Sequence, residues 1–264
     1  MLPIEHKFSR ILLTNDDGID APGLDVLGEI AKEFAEEIWI VAPVRDRSGA
    51  SQSVSLHESL RLTQYADRKF GLDGTPSDCV VVALRHLMKS AAPDLVLSGI
   101  NRGANLGHET IYSGTVGAAM TSLLLGISSI ALSQTYRDST NVRWRTADSL
   151  ARRVIPVVSP LLVQERVCLN VNFPDVAPQD AGPIVATHQD AGILQDIDVL
   201  SRTDENGESF FSLQMKRGRQ ESADSETKIV NSGCISVTPI HFNRTSERAK
   251  TQLELLLSAQ KEAL

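Results

Sequence analysis

Residues 11–18 read Ile-Leu-Leu-Thr-Asn-Asp-Asp-Gly, an apolar run that ends in two adjacent carboxylates and a glycine. A short apolar run that stops at a turn is typical of a buried strand. Open α/β sheets place their ligand crevices at the carboxyl ends of such strands, which is where Asp16 and Asp17 would lie. Neighbouring carboxylates repel each other, and a divalent metal ion relieves that repulsion. A solvated Asn-Asp-Asp-Gly turn has the same letters, so both interpretations stay open for this stretch alone.

Outward from this stretch, predicted strands and helices alternate along the first half of the chain. Apolar residues recur at helical spacing over residues 24–34, and further apolar runs predict strands over 38–42, 94–98 and 127–132. The alternation predicts an α/β protein with a doubly wound, Rossmann-like and mostly parallel sheet in a three-layer sandwich.

The second half of the chain is less regular. It predicts, in order, a helix over residues 144–158 that Pro156 bends or ends, a hairpin arm that protrudes over 192–232, an exposed charged stretch over 216–228 and an amphipathic C-terminal helix over 244–264. The sequence has neither an internal repeat nor a linker that marks a domain boundary. We therefore expect residues 1–264 to form a single domain.

Composition limits the partners of the protein. The chain has 264 residues, of which 42% are hydrophobic, and its net charge of −7 disfavours binding to a nucleic-acid duplex. No apolar run approaches the length of a membrane span, and the first ten residues lack the apolar core of a signal peptide. We therefore expect a cytoplasmic protein that binds neither membrane nor nucleic-acid duplex.

Metal ligands must come from oxygen atoms in this sequence. The three cysteines form no CxxC pair and the six histidines form no HxH or HExxH arrangement. Four polar segments, residues 15–18, 45–49, 98–105 and 112–115, fall where a predicted strand ends or a loop begins. Because parallel strands end at one edge of the sheet, these segments can converge. Their two carboxylates, hydroxyl and amide form a hard oxygen set that suits Mg²⁺, Mn²⁺ or Ca²⁺.

The segment Ser113-Gly114-Thr115 precedes an apolar run that predicts a helix. Exposed backbone N–H groups at the start of a helix bind anions, and two hydroxyls could assist them. The alternative is that Ser113 is an ordinary N-cap and that Ser48, in the second loop, is only a turn residue.

Several long motifs in fixed order resemble the SurE family of survival-protein nucleotidases. The motifs are RILLTNDDGIDAPGL, VAPVRDRSGASQS, GTPSDCV, PDLVLSGINRGANLG, IYSGTVGAAM, LNVNFP and ISVTPIHF. The similarity covers most of residues 10–133 and returns near 168–174 and 233–242. It implies a phosphomonoesterase that acts on nucleoside 5′- and 3′-monophosphates with one divalent cation, Mg²⁺ or Mn²⁺, per subunit.

The resemblance also implies roles for particular residues. The implied metal ligands are Asp16, Asp17, Ser48 and Asn101. The implied phosphate-binding residues are Asn105, Ser113, Gly114 and Thr115. A homodimer or homotetramer that exchanges C-terminal elements between subunits is implied as well.

The chain departs from the family pattern at three places. Val44 stands where an acidic residue is common, with Asp46 two positions later, and Thr121 stands where Glu is frequent. Near the end, Ser225-Glu226 replaces the common Thr-Asp. None of these departures removes an implied ligand.

A phosphatase with paired carboxylates has a physical reason to need a cation. Each contact between a phosphate charge and a carboxylate at about 4 Å costs on the order of 4 kcal/mol at an effective dielectric of about 20. The predicted reaction is attack of water on phosphorus, with Asp16 or Asp17 orienting or deprotonating the water. The alternative mechanism uses Asp16 as a nucleophile that forms an aspartyl-phosphate.

Two other functions fit part of the sequence. A nucleotide-dependent oxidoreductase could use the same architecture, but no GxGxxG follows the first strand. A non-catalytic sensor of metal or nucleotide would need the same binding groups as the nucleotidase. Release of phosphate from a nucleoside monophosphate separates the enzyme from the sensor.

Overall fold

The computed structural model describes residues 8–218 and 225–262. Its strands are β1 (Phe8–Thr14), β2 (Ala35–Pro43), β3 (Leu62–Ala66), β4 (Lys69–Leu72), β5 (Leu95–Arg102), β6 (Ser129–Gln134), β7 (Cys168–Phe173), β8 (Ile184–Ala186), β9 (Leu194–Thr203), β10 (Ser209–Arg217) and β11 (Ile235–Ile240). Its α-helices are α1 (Pro22–Phe34), α2 (Pro76–Val82), α3 (Gly114–Leu124), α4 (Trp144–Gln164), α5 (Glu226–Asn231) and α6 (Glu247–Glu262). A π-helical turn, Ala83–Leu87, extends α2, and short 3-10 helices occupy Gly107–Ile111 and Pro178–Asp180.

The main sheet has nine strands in the order β3-β4-β2-β1-β5-β6-β7-β11-β8. Strand β1 lies next to the central strand β5 and pairs in parallel with β2 and β5, so that Leu13 lies between Ile40 and Leu97. Strands β6 and β7 continue the parallel sheet, whereas β3 runs antiparallel to β4 and β11 antiparallel to β7. The prediction of a doubly wound, mostly parallel sheet is confirmed.

Apolar clusters cover both faces of this sheet. Successive residues of a strand point to opposite faces, and Leu13 packs in one cluster with Leu27 of α1 and Leu150 of α4. Leu12 packs in a second cluster with Val80 of α2. The helices therefore form two outer layers, as the predicted three-layer sandwich requires.

Helix α4 is longer than the sequence predicted. It runs to Gln164 and contains both Pro156 and Pro160, so the prediction that it could end at Pro156 is wrong. Its buried stripe continues beyond the first proline to Leu162. We attribute the continuation to this burial, because the packing of an apolar face outweighs the hydrogen bond that a proline removes. The hydroxyl of Ser159 donates to the Ile155 carbonyl, at 2.7 Å, between the two prolines.

The predicted hairpin arm is present, with a different end. Strands β9 and β10 pair with each other and form a sheet of their own, and the Asp204 carboxylate accepts hydrogen bonds from two backbone N–H groups of the turn. The chain then returns to the body of the protein as α5. Within the predicted exposed stretch 216–228, Glu226 and Thr227 are buried, which corrects that prediction. Residues 219–224 lie outside the described residues.

The C-terminal helix is confirmed over Glu247–Glu262, and the last two residues of its predicted span lie outside the described residues. Leu253, Leu256 and Leu257 are exposed on the isolated chain. Among the helices of the described part of the chain, none has the length and apolar character that crossing a membrane requires.

Candidate active site

A cavity of about 340 Å³ opens at the carboxyl ends of the central strands. A volume of this size is at the low end of the range for small-molecule pockets, about 300–1,000 Å³. All four polar segments singled out in the sequence contribute to its wall. They supply Asp16, Ser48, Gly49, Asn101, Arg102, Gly103, Ala104, Asn105, Tyr112 and Ser113. The predicted convergence of the four segments is therefore confirmed.

The turn after β1 is built by Asn15 and Gly18. The Asn15 side chain donates to the Gly18 carbonyl at 2.8 Å and accepts from the Gly18 N–H at 3.3 Å. Gly18 has φ +109°, a conformation that favours glycine. The Asp16 carbonyl accepts from the Arg47 N–H at 2.7 Å, which ties the second loop to the first.

Asp16 is a buried carboxylate, with 4% of its surface exposed. Burial raises its pKa to about 6, a hydrogen bond from Thr115 opposes the shift, and the neighbouring Asp17 charge adds to it. The Thr115 hydroxyl donates to Asp16 Oδ1 at 2.5 Å. A Cβ on Gly114 would lie 2.7 Å from the Asp16 Cβ, so the start of α3 packs directly on this side chain. A buried carboxylate whose negative charge is not fully balanced by neighbouring groups is a suitable ligand for a cation.

Asp17 lies beside Asp16 but faces a neighbouring cavity of about 430 Å³, which Asp46 and Trp144 also line. Its Oδ2 accepts from the Arg102 N–H at 3.1 Å. Burial raises the pKa of Asp17, and the Asp46 charge raises it further against that hydrogen bond. Asp16 therefore lines the first cavity, whereas Asp17 lines the neighbouring one.

Asn101 reaches the site through an irregularity in β5. The strand predicted over residues 94–98 continues further than predicted, because β5 extends to Arg102. Its pairing with β6 shifts between Ser98 and Asn101, and Gly99 has φ +134° with its missing Cβ only 2.4 Å from the Leu132 carbonyl oxygen. The Asn101 Nδ2 donates to the Gly103 carbonyl at 3.0 Å, an arrangement that leaves the amide oxygen as the group to offer a cation.

Asn105 is held by a network of buried amides. Its N–H donates to Asn172 Oδ1 at 2.8 Å, and its carbonyl accepts from the side chains of Asn170 and Asn172. Its own Nδ2 donates to Ser133 Oγ at 2.8 Å. Sequence reasoning gave Asn170 and Asn172 no role, although two asparagines in an apolar strand already indicate buried amides that need partners.

The start of α3 has a partly different arrangement from the predicted one. Ser113 lines the cavity, and its hydroxyl accepts from the Val116 N–H at 3.0 Å as an N-cap. Thr115 is fully buried, and its hydroxyl bonds to Asp16. The Thr115 O–H is donated to Asp16, whereas the Ser113 hydroxyl only accepts and keeps its own O–H. The groups left for an anion at this helix start are therefore the Ser113 O–H and backbone N–H groups. Neither Gly114 nor Thr115 lines the cavity.

Asp46, two positions after the departure at Val44, and Glu226, part of the departure near the end of the chain, have structural roles near the site. Asp46 Oδ1 accepts from the Ser48 N–H at 2.7 Å and so orders the second loop. Glu226 is buried and accepts from the Gly107 N–H and from the Thr238 hydroxyl, at 2.5 and 2.9 Å. Burial raises the pKa of Glu226, and the Asp190 charge adds to the shift.

The residues present fit a hard divalent cation. Among the described residues, no group of three or more His, Cys, Asp or Glu could hold a metal by itself. Two aspartates supplemented by the Ser48 hydroxyl and the Asn101 amide form an all-oxygen set, which suits Mg²⁺ or Mn²⁺.

The cavity has a second wall that sequence reasoning missed. It comprises Leu106, Glu109, Thr135, Tyr136, Ile193, Met215 and Arg217. Three of these residues lie at the base of the hairpin arm, a segment without a sequence pattern that would have connected it to the site.

The fold and the polar cavity at one edge of its sheet fit the architecture of an α/β enzyme. The family model described as survival protein SurE matches residues 11–195. The protein 5′-nucleotidase SurE 1 of Burkholderia lata is 51% identical over 251 residues, which cover 95% of this chain and 97% of that protein. The 5′-nucleotidase SurE of Brucella canis is 44% identical over 255 residues, 95% of this chain and 99% of that protein.

A solved structure agrees with these relatives. The crystal structure of the SurE protein from Aquifex aeolicus has a TM-score of 0.80 at 32% identity, and the match covers 94% of this chain and 99% of that one. The chain belongs to the SurE family, so the resemblance drawn from the motifs is confirmed.

Proposed function

We propose that this protein is a metal-dependent phosphomonoesterase that hydrolyses nucleoside 5′- and 3′-monophosphates to nucleoside and phosphate. The observation that carries the proposal is the packing of the α3 start against the buried Asp16, since Gly114 and Thr115 both contact that carboxylate. This contact brings a candidate cation ligand and a candidate anion site into one cavity. Relatives named 5′-nucleotidase over almost the whole chain support the same activity.

In this proposal Asp16, Asp17, Ser48 and Asn101 hold one divalent cation, Mg²⁺ or Mn²⁺, per subunit. When bound, the cation supplies positive charge that offsets phosphate–carboxylate repulsion and lowers the pKa of water. Asn105, Ser113, Gly114 and Thr115 form the phosphate site, with backbone N–H groups of the helix start facing the phosphate oxygens.

The chain's own residues then order the reaction. Thr115 fixes the Asp16 carboxylate through a hydrogen bond to Oδ1. Asp16 or Asp17 orients the attacking water and accepts its proton. The amide network around Asn105 keeps the phosphate loop rigid, so that little reorganisation accompanies attack. Direct attack by Asp16 on phosphorus remains the alternative route.

Phosphate release from AMP and 3′-AMP tests the proposal. We expect turnover with Mn²⁺ or Mg²⁺ and its loss with EDTA. Half-maximal activity should require a lower concentration of Mn²⁺ than of Mg²⁺. Asp16→Asn should abolish turnover, and Asp25→Asn, an exposed aspartate of α1, is the matched control. Binding of AMP without release of phosphate would favour the sensor instead. Full activity after EDTA, with absence of metal verified by elemental analysis, would contradict the metal role.

We also propose a homodimer or homotetramer formed through the C-terminal elements. The exposed Leu253, Leu256 and Leu257 of α6 support this, as does the exposed Phe211 on the arm. Deletion of residues 244–264 should shift the assembly to monomer in light scattering at equal concentration. An unchanged assembly would assign the contact to another element. The cytoplasmic location and the single-domain organisation stay predictions.

A further inference from the structure

We propose that the arm root, defined as residues 191–194 and 215–218, binds the base of the nucleotide and so makes the enzyme select nucleotides over simpler phosphate esters. The inference rests on the proposed function. It assigns the second wall of the cavity to the nucleoside half of the substrate, with Arg217 as its central residue.

An ion pair fixes the arm root against the body of the protein. Arg217 Nε and Nη2 donate to Glu109 Oε1 and Oε2, each at 2.8 Å. The Glu109 side chain is only 11% exposed, whereas that of Arg217 is 53% exposed. A two-point contact between a guanidinium and a carboxylate fixes orientation as well as distance. Glu109 lies in the 3-10 helix that leads directly into Tyr112 and Ser113, so the pair connects the arm to the approach of the phosphate site.

Backbone contacts hold the same junction. The His108 N–H donates to the Ala191 carbonyl at 3.2 Å. A Cβ on Gly107 would lie 2.3 Å from the Gly192 Cα, so the two chain segments approach as closely as glycines allow, and both residues have positive φ. The Gly218 N–H donates to the Ile193 carbonyl at 2.8 Å and closes the base of the hairpin. The arm root is therefore a fixed wall of the cavity.

The chemistry of this wall suits a flat, uncharged ring. The arm contributes Ile193, Met215 and Arg217, and the body contributes Tyr112 and Tyr136. Tyrosine rings, the thioether and the face of a guanidinium all make favourable contacts with aromatic rings.

The charge of Arg217 is already matched by Glu109. The wall therefore offers a flat cationic face without the unpaired positive charge that a second phosphate would need. A purine or pyrimidine base attached to the bound phosphate is the ligand class that fits.

A comparison of AMP with ribose 5-phosphate isolates the base, because the two esters share the phosphate and the sugar. In Arg217→Met we expect the ratio of kcat/KM for AMP to that for ribose 5-phosphate to fall about 10-fold, mainly through KM for AMP. Arg202→Met is the matched control, because Arg202 lies on the same arm over the Phe210 ring and does not line the cavity. Its ratio should stay within about twofold of the wild type.

Removal of Arg217 alone leaves Glu109 buried without its cation. The double variant Glu109→Gln/Arg217→Met avoids that cost and should show the same loss of selectivity. Equal losses of kcat/KM on both esters would mean that the wall only positions the phosphate loop. No loss on either ester would mean that the wall takes no part in recognising the substrate. Either result overturns the inference.

Adenosine provides a measurement that does not depend on turnover. Its Kd, measured by titration calorimetry, should rise about 10-fold in Arg217→Met and stay unchanged in Arg202→Met. An unchanged Kd in Arg217→Met would overturn the base site. Failure of the wild type to release phosphate from AMP would instead overturn the proposed function.

Discussion

The cavity has two walls that are built in different ways: a sheet-side wall formed by the four polar segments, and an arm-side wall formed by the arm root and Glu109, which faces it. The sheet-side wall consists of loops held by buried hydrogen bonds, such as the Thr115–Asp16 contact and the amides around Asn105. The arm-side wall depends on a half-exposed arginine and on backbone contacts at the base of the hairpin. Buried polar contacts are costly to break, and exposed ones contribute little. We infer that the sheet-side wall performs chemistry that tolerates little displacement, whereas the arm-side wall selects among substrates.

The largest expected effect is at Asp17, which follows Asp16 of the sheet-side wall in the chain and lines the neighbouring cavity. Asp17→Asn keeps the shape and removes one negative charge beside the cation, so we expect at least about 100-fold lower kcat/KM, or roughly 2.7 kcal/mol of transition-state stabilisation. Asp20→Asn, an exposed aspartate of the same turn, is the control. Steady-state kinetics on AMP provide the measurement. A rate near that of the wild type in Asp17→Asn would leave Asp17 as a turn residue only.

A smaller effect should come from Thr115, whose hydroxyl contacts Asp16 within the sheet-side wall. Thr115→Val keeps the volume but removes the donor, and we expect about 10-fold lower kcat/KM and weaker Mn²⁺ binding in calorimetry. Thr115→Ser retains the hydroxyl and should recover most of the loss. If inhibition by free phosphate weakened in Thr115→Val while Mn²⁺ affinity stayed constant, the Thr115 hydroxyl would act on phosphate and not through Asp16.

The same contrast between the walls explains how far the sequence predicted the site. The sheet-side loops follow strands directly, so strand pattern and turn residues are sufficient to predict that Asp16, Ser48 and Asn105 lie at one edge of the sheet. The contact of Thr115 was not predictable in this way, because its hydroxyl donates to Asp16, a residue 99 positions away in the chain.

The arm-side wall was not predictable in this way. Arg217 and Glu109 are 108 residues apart, and neither belongs to a periodic pattern that would pair them. The irregularity of β5 at Gly99 was not predictable from the sequence for a related reason, because it depends on the register in which β5 pairs with β6. Local pattern predicts strands and turns, whereas contacts between distant segments arise only from packing.

The smallest expected effect lies at the junction of the two walls, at Glu226. Its carboxylate accepts from the Gly107 N–H, beside the Gly107–Gly192 contact that holds the arm root. Burial, with the Asp190 charge, raises the folded-state pKa above the ordinary glutamate value of 4.5. Protonated Glu226 therefore favours the fold: its contribution is complete below that value and is lost as pH rises through the raised pKa.

Glu226→Gln removes this titration and keeps an acceptor for the Gly107 N–H. We expect the free energy of unfolding of the variant, minus that of the wild type, to increase as pH rises from about 4.5 toward neutrality. Urea unfolding at each pH provides the measurement. Thr227→Ser, a buried neighbour without a charge, is the control and should give a difference that does not depend on pH. If the Glu226→Gln difference stayed constant with pH, Glu226 would titrate alike in the folded and unfolded chains. A trend of the opposite sign would mean that its hydrogen bonds stabilise the charged form more than burial disfavours it.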